Sequence, residues 1–323
     1  MTAFDENIQH FQEVISWVQC VDLQRLKEFL SEEDQLPRIF VASSGSYSAA
    51  AYAEMLTVNA GKMAHAMTPL VYETGCFCNL PAKTVILSAS GASKDCLRTF
   101  EKARMKQTVG AITLTSVGRL QKNFHARRID SLYTFDIPTG RDGFLATNSI
   151  LAFYLLPCRA FVCEKIENPT TNLTEDELST FADFAQKVSA GITNIVILYS
   201  GKTYSVALDM ESKLIEGAIV GVQLTDYRNF AHGRFNWLTY YPQQTAVICL
   251  LTPDDITLCE RIVHLLPQEI PVLKITSHHN TSSLVSIDLL IKEHFLCNLL
   301  GKAKGLNLNH PPVPDYGKKI YTM

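Results

Sequence analysis

The most constraining feature of this chain is a unit that occurs twice near its start. An apolar run, Arg38-Ile-Phe-Val-Ala, breaks into Ser43-Ser-Gly-Ser and then into a helical pattern over about 47–60. Thr84-Val-Ile-Leu, Ser88-Ala-Ser-Gly-Ala-Ser and a helical pattern over about 94–106 repeat that order. A strand that hands over to a helix and returns as another strand builds a parallel sheet, and such sheets are covered on both faces. Val109-Gly-Ala-Ile-Thr-Leu and Ser131-Leu-Tyr-Thr-Phe supply a third and a fourth strand, and a helix over about 146–154 closes the set. The alternation predicts an α/β fold.

The grammar then starts again. Glu167-Asn-Pro-Thr-Thr-Asn-Leu-Thr-Glu-Asp is polar, contains a proline and reads as a linker, with Thr174 capping a helix over 175–188. Asn194-Ile-Val-Ile-Leu-Tyr runs into Ser200-Gly-Lys-Thr and a helix over 204–216. Later strands are expected over 246–251 and 272–275, and a last helix over 287–300 leads to a proline-rich tail. Each half is opened by a helix. For the first, Ile8, Phe11, Val14, Ile15, Val18, Val21, Leu23, Leu26 and Leu30 predict one amphipathic helix over 7–30. The chain thus divides into two expected domains, 1–165 and 166–323.

Composition removes several classes of partner. Lys+Arg 29 against Asp+Glu 32 gives a formal charge of -3, and no basic cluster stands out, which argues against nucleic acid. The longest apolar stretches, such as 150–156, are too short to cross a bilayer, so no membrane partner is expected. Met1 to Gln9 carries Asp5 and Glu6 and lacks the order of a signal peptide. The nine cysteines form no CxxC pair, and Cys76 and Cys78 are too close for ordinary disulfide geometry. Reduced thiols in a cytoplasm are the expectation, which leaves the Asn172 and Asn280 sequons without meaning. His278-His279 sits in a polar turn with no carboxylate or thiol beside it, so neither a metal nor a cofactor is expected.

The serine loops are the first sign of function. Ser88, Ser90 and Ser93 put three hydroxyls at the point where a strand ends and a helix begins, and Gly91 lets the backbone approach a ligand. Open parallel sheets bind ligands outside the carboxyl ends of their strands, and a helix N-terminus favours an anion there. Ser43-Ser-Gly-Ser46 offers a second loop of the same kind. Serine and glycine also cap helices and make turns for structural reasons alone. Two such loops in corresponding places point to a phosphate. Neither GxxxxGK[ST] nor GxGxxG occurs.

With these motifs the sequence resembles the sugar isomerase (SIS) domain family in its tandem form. The carriers are Phe40-Val-Ala-Ser-Ser-Gly-Ser-Tyr-Ser, the SxSGxS run at Ser88–Ser93 and Gly140-Arg-Asp-Gly-Phe-Leu-Ala-Thr-Asn-Ser. In the second half Met210-Glu-Ser-Lys-Leu-Ile-Glu-Gly, Ala231-His-Gly and the tail from Asn309 resemble the isomerase half of glucosamine-6-phosphate synthase. The resemblance implies two domains, each a five-stranded parallel sheet between helices in a flavodoxin-like αβα sandwich. It implies a phosphorylated sugar or amino sugar as ligand, with Ser44, Ser46, Ser88, Ser90 and Ser93 on the phosphate and Gly45, Gly91, Ala146, Thr147 and Arg234 on the remainder. It implies Glu216, His232 and a tail lysine, Lys318 or Lys319, as catalytic groups. Finally, it implies a homodimer or higher homo-oligomer, with His232 offered to a second subunit.

The second half departs from its own phosphate motif: Leu250-Leu-Thr-Pro-Asp-Asp stands in that place, so only the first domain is expected to hold phosphate. With a helix expected from its first residues, the chain is not expected to be a full amidotransferase with its own glutamine-hydrolysing domain. Tyr227-Arg-Asn-Phe-Ala precedes His232, and Arg234 follows Gly233 where relatives commonly carry proline, which suggests a different and anionic substrate tail. Chemically, Glu216 suits the base that moves a proton between adjacent carbons through an enediol, although a surface glutamate paired with Lys213 at i−3 would read the same. His232 suits ring opening, and a tail lysine suits charge stabilisation or a Schiff base. Trp17 and Trp237 read as packing residues, and Lys102, Arg104 and Lys106 as a solvated helix face. The chain is therefore expected to be a sugar-phosphate isomerase, deaminase or deglycase; a non-catalytic sugar-phosphate sensor is the alternative.

Overall fold

The computed structural model describes residues 3–162, 171–277, 279 and 281–321. The chain opens with α1 (Ala3–Gln9), α2 (Phe11–Cys20) and α3 (Gln24–Ser31). It then lays down β1 (Arg38–Val41), α4 (Ser46–Asn59), β2 (Ala64–Met67), α5 (Pro69–Thr74), β3 (Lys83–Leu87) and α6 (Lys94–Ala103). The first half closes with β4 (Thr108–Thr113), α7 (Arg119–Ala126), β5 (Leu132–Thr134) and α8 (Asn148–Val162). These five strands form one parallel sheet in the order β2-β1-β3-β4-β5, the doubly wound order in which the strand sequence reverses beside β1. The two serine loops follow β1 and β3, one on each side of that reversal.

The second half carries α9 (Glu175–Ser189), β6 (Asn194–Tyr199), α10 (Tyr204–Glu216), β7 (Gly221–Asp226), α11 (Tyr227–Asn229) and α12 (Asn236–Tyr240). After these come β8 (Thr245–Leu251), α13 (Ile256–Leu265), β9 (Val272–Thr276), α14 (Ser282–Ala303) and α15 (Asp315–Tyr321). Its sheet is parallel, in the order β7-β6-β8-β9, and among the described residues has four strands rather than the five the resemblance implies. The element that follows β9 is the 22-residue α14. The segment between α14 and α15 contains Pro311, Pro312 and Pro314, which lack the N–H groups that a ladder strand needs.

The opening helix is also not one piece. Asp22 accepts the Gln24 N–H at 2.9 Å, and this local bond ends one helix and starts the next. The Arg159 guanidinium donates to the carbonyls of Val18 and Val21 at the end of α2. Thr174 does cap α9: its hydroxyl accepts the Glu177 N–H at 3.2 Å, and the Glu177 carboxylate accepts the Thr174 N–H at 2.9 Å.

One apolar core runs through both halves, from Phe4 and Phe11 through Tyr52 and Tyr154 to Ile197, Met210 and Leu296. The halves meet helix on helix, α4 against α10 and α8 against α14. The expected boundary at 165/166 lies outside the described residues, as do Glu167 to Thr170 of the expected linker, His278 and Asn280. The eight described cysteines are free thiols. Among the described residues no helix is long and apolar enough to cross a membrane.

Candidate functional site

A cavity of about 740 Å³ opens at the carboxyl ends of β1 and β3. Three walls come from the first half: Ser43–Ser46, the loop from Ser88 to Ser93, and the segment from Asp136 to Ala146. The fourth is α10, which presents Ser212, Lys213 and Glu216. Of the expected residues, Ser44, Gly45, Ser46, Ser88, Ser90, Ser93, Ala146 and Glu216 line this one space, although they come from both halves of the chain.

The loops are held by close packing. Gly91 has φ +58°, a left-handed conformation that favours glycine, and a Cβ there would press on the side-chain amide of Gln121. Leu120 donates its N–H to the Gly91 carbonyl at 2.7 Å, tying the loop to α7. Beneath the loop the Cys96 thiol is pushed up by burial, while the hydroxyls of Ser88 and Ser93 act against that shift. A Cβ on Gly45 would lie 3.5 Å from that of Ala146, which places the first serine loop and the 136–146 segment in contact. Thr147 is buried beside the cavity; its hydroxyl donates to Asp142 at 2.8 Å. The Asp142 carboxylate also accepts the N–H groups of Thr147, Asn148 and Ser149 at 2.9–3.0 Å, which is why α8 begins at Asn148.

Glu216 is the half-buried carboxylate that faces the loops. Its Oε1 accepts two hydroxyls at 2.8 Å, from Ser212 one turn back on α10 and from Ser44 in the first serine loop. No hydrogen bond from the described residues reaches its Oε2. The i−3 pairing with Lys213 that the sequence offers does not form. Lys213 turns inward instead, contacts Asp209 and lies 3.4 Å from Glu293 Oε1. Ser48 donates to the other Asp209 oxygen at 3.0 Å. Burial pushes Asp209 up to about 7 against the pull of the Lys213 charge. Burial also works to lower Lys213, but the Asp209 and Glu293 carboxylates outweigh it and raise the ammonium above its ordinary value. His294, whose Nδ1 lies 2.6 Å from the Leu290 carbonyl, is lowered to about 3 by burial and by the nearby Lys213 charge. Ligand atoms of Asp209, Glu293 and His294 lie within 4.8 Å of one another, a spacing that a metal ion could use. The cation touching both carboxylates here is the lysine.

The remaining expected residues lie elsewhere on the single chain. His232 and Arg234 are exposed on the wide turn Phe230–Arg234 after β7 and do not line the cavity. Lys318 and Lys319 are exposed on α15, where Lys318 pairs with Asp315 at 3.1 Å. The tail leading to α15 is anchored near the site, because Leu308 fills the space beside Gly217 and Gly301 and Asn309 lies against Gly143. Sequence reasoning missed Arg141, Asp142, Ser212 and the inward role of Lys213. Ser212 and Lys213 each left a local signal, at i−4 from Glu216 and at i+4 from Asp209, and Arg141 and Asp142 lie within the Gly140–Ser149 motif without standing out in it.

No family model matches the sequence, and no curated protein matches it either. Solved structures do match over nearly the full length. Tagatose-6-phosphate ketose/aldose isomerase from Escherichia coli superposes with a TM-score of 0.74 at 19% identity, covering 96% of this chain and 95% of that one. The C-terminal domain of glucosamine-fructose-6-phosphate aminotransferase from Francisella tularensis gives 0.67 at 14% identity, covering 94% and 96%. Glucosamine-6-phosphate deaminase from Thermotoga maritima gives 0.64 at 16% identity, covering 95% and 97%. The chain shares their fold. That architecture agrees with the sugar isomerase fold implied by the motifs, with a four-stranded second sheet.

Proposed function

We propose that this chain is a sugar-phosphate enzyme, an aldose–ketose isomerase or an amino-sugar-phosphate deaminase or deglycase, working through an enediol or enolamine. The observation that carries this reading is a carboxylate, Glu216, facing two serine loops across one cavity with one of its oxygens left free. The three structural neighbours, by their names, concern sugar phosphates, which supports the same substrate class. In the proposed complex, phosphate rests on Ser46, Ser88, Ser90 and Ser93, at the N-termini of α4 and α6, where free N–H groups and the helix dipole favour an anion. The sugar then extends along Ala146 toward α10; Thr147, expected on the sugar from the sequence, is instead fully buried with its hydroxyl on Asp142, and holds the 136–146 segment in place. Glu216 Oε2 takes the proton from one carbon of the C1–C2 pair and returns it to the other. The test of this reading is incubation with tagatose 6-phosphate, fructose 6-phosphate and glucosamine 6-phosphate, with products identified by mass and NMR; no turnover of any of them would count against it.

Ser90→Ala and Ser93→Ala should each weaken binding of a sugar phosphate by about 1–3 kcal/mol, the worth of a hydrogen bond to a charged group. Isothermal titration measures this directly, and two variants that bind as wild type does would remove the phosphate assignment.

His232 and Arg234 act from a second copy of the chain in this proposal, and Lys318 or Lys319 closes the site from the tail. Their turn is followed by exposed aromatic side chains, Phe235, Trp237, Tyr240 and Tyr241, a surface suited to burial between copies in a cytoplasmic homodimer. Sedimentation of the active protein should give at least twice the 36.0 kDa chain mass. An active species at the single-chain mass would exclude the role of His232 in trans.

A further inference from the structure

We propose that Ser44 is a positioning residue for Glu216 and not one of the phosphate ligands among which the sequence groups it. This rests on Glu216 being the base. Ser44 has φ +52°, a left-handed conformation that non-glycine side chains adopt rarely. Three other described non-glycine residues have positive φ, Cys76, Arg128 and Ala218, and none of them lines the cavity. Strained backbone of this kind persists where the surrounding structure requires it, and active sites are where it collects. Here the strained residue donates its hydroxyl to Glu216 Oε1 at 2.8 Å, across 172 residues of sequence.

The consequence is mechanical. Ser212 holds the same oxygen, but from the same helix, so it fixes the carboxylate only relative to α10. Ser44 fixes it relative to the loop that also carries Ser46, at the start of α4. One short loop therefore sets the distance between an anion on the serines and the free Oε2. With two donors on Oε1, Oε2 is the oxygen left to receive a proton. Misplacement of a catalytic group by about 1 Å commonly costs on the order of 10²-fold in rate.

The experiment compares Ser44→Gly, Ser44→Asn, Ser90→Ala and Glu216→Gln with wild type. Glycine accepts the left-handed backbone freely, so Ser44→Gly should melt no lower than wild type. Two further quantities are read: affinity for inorganic phosphate by calorimetry, and the rate of deuterium entry at C1 of tagatose 6-phosphate and at C2 of glucosamine 6-phosphate. Ser44→Gly should keep phosphate affinity within about twofold, whereas Ser90→Ala loses it. Its exchange rate should fall roughly 10–100-fold with little change in KM. Ser44→Asn, which tolerates the same backbone and restores an N–H donor, should recover part of that loss. Loss of phosphate affinity in Ser44→Gly to the extent seen for Ser90→Ala would overturn the inference, as would a wild-type exchange rate. If Glu216→Gln is inactive while Ser44→Gly exchanges normally, only the Ser44 inference falls. If Glu216→Gln also exchanges at the wild-type rate, or wild type exchanges neither substrate, the assignment of the base falls with it.

Discussion

Replacing Glu216 by glutamine should lower turnover by roughly 10²–10⁴ while leaving sugar-phosphate affinity within about twofold. The amide keeps the size of the side chain and one carbonyl oxygen, so the hydroxyls of Ser44 and Ser212 still find an acceptor. What disappears is a basic oxygen facing the cavity. Phosphate on the serine loops lies apart from this change, which is why binding and rate should separate. Steady-state kinetics beside calorimetry make the comparison. A parallel fall in affinity and rate would mean that Glu216 helps hold the substrate and does not move its proton.

Lys213→Met should destabilise the fold by about 3–5 kcal/mol at pH 8, the cost of stripping one partner from a buried ion pair. Asp209 is fully buried and Glu293 equally so, and the Lys213 ammonium is the cation beside both. The loss should shrink at pH 5, and the sign follows from Asp209. Its folded value, about 7, lies above the ordinary 3.8, so its contribution is fully present below 3.8 and fades as pH rises through about 7. Without the lysine that folded value climbs further, and protonation at pH 5 relieves the unpaired charge. His294 acts in the same direction, since removing the nearby ammonium removes one of the causes that hold it down to about 3. Urea unfolding at the two pH values reads the difference. An equal loss at both, or a loss below about 1 kcal/mol, would mean that Lys213 does not neutralise this cluster.

Much of the first half was legible because its strands are short apolar runs ending in serine and glycine. β2 was not, since Ala64-His-Ala-Met carries only two fully buried residues and lies at the sheet edge. β7 hid for the same reason: it is an edge strand that is mostly half-buried. The spacing of apolar residues over 7–30 is helical throughout, yet the span is divided twice, at the His10 turn between α1 and α2 and again before α3, where Asp22 accepts the Gln24 N–H; periodicity registers neither break. Among the described residues the second sheet has four strands where the family pattern implies five, and the prolines after α14, Pro311, Pro312 and Pro314, lack the N–H groups of a ladder strand.

In the site, the serines and Glu216 stood out by motif, but their meeting did not, because loops from one half and a helix from the other form the cavity. Lys213 could pair at i−4 with Asp209 or at i+3 with Glu216. Both are one helical turn away, and only the burial of α10 against α14 decides for Asp209. Asp142 reaches across five to seven residues to the start of α8, longer than a capping box, so pattern reading passes over it.

The most direct measurement is the fate of the carbon-bound proton in deuterated water. Wild-type protein is incubated with tagatose 6-phosphate, fructose 6-phosphate or glucosamine 6-phosphate and followed by proton NMR. The proposed function predicts that deuterium enters C1 of a ketose phosphate or C2 of the amino sugar phosphate, that inorganic phosphate competes, and that Glu216→Gln stops the exchange. A sugar phosphate bound on the Ser88–Ser93 loop whose C1 and C2 protons exchange no faster than in buffer would contradict it, and would make the protein a binder of sugar phosphates instead of an enzyme.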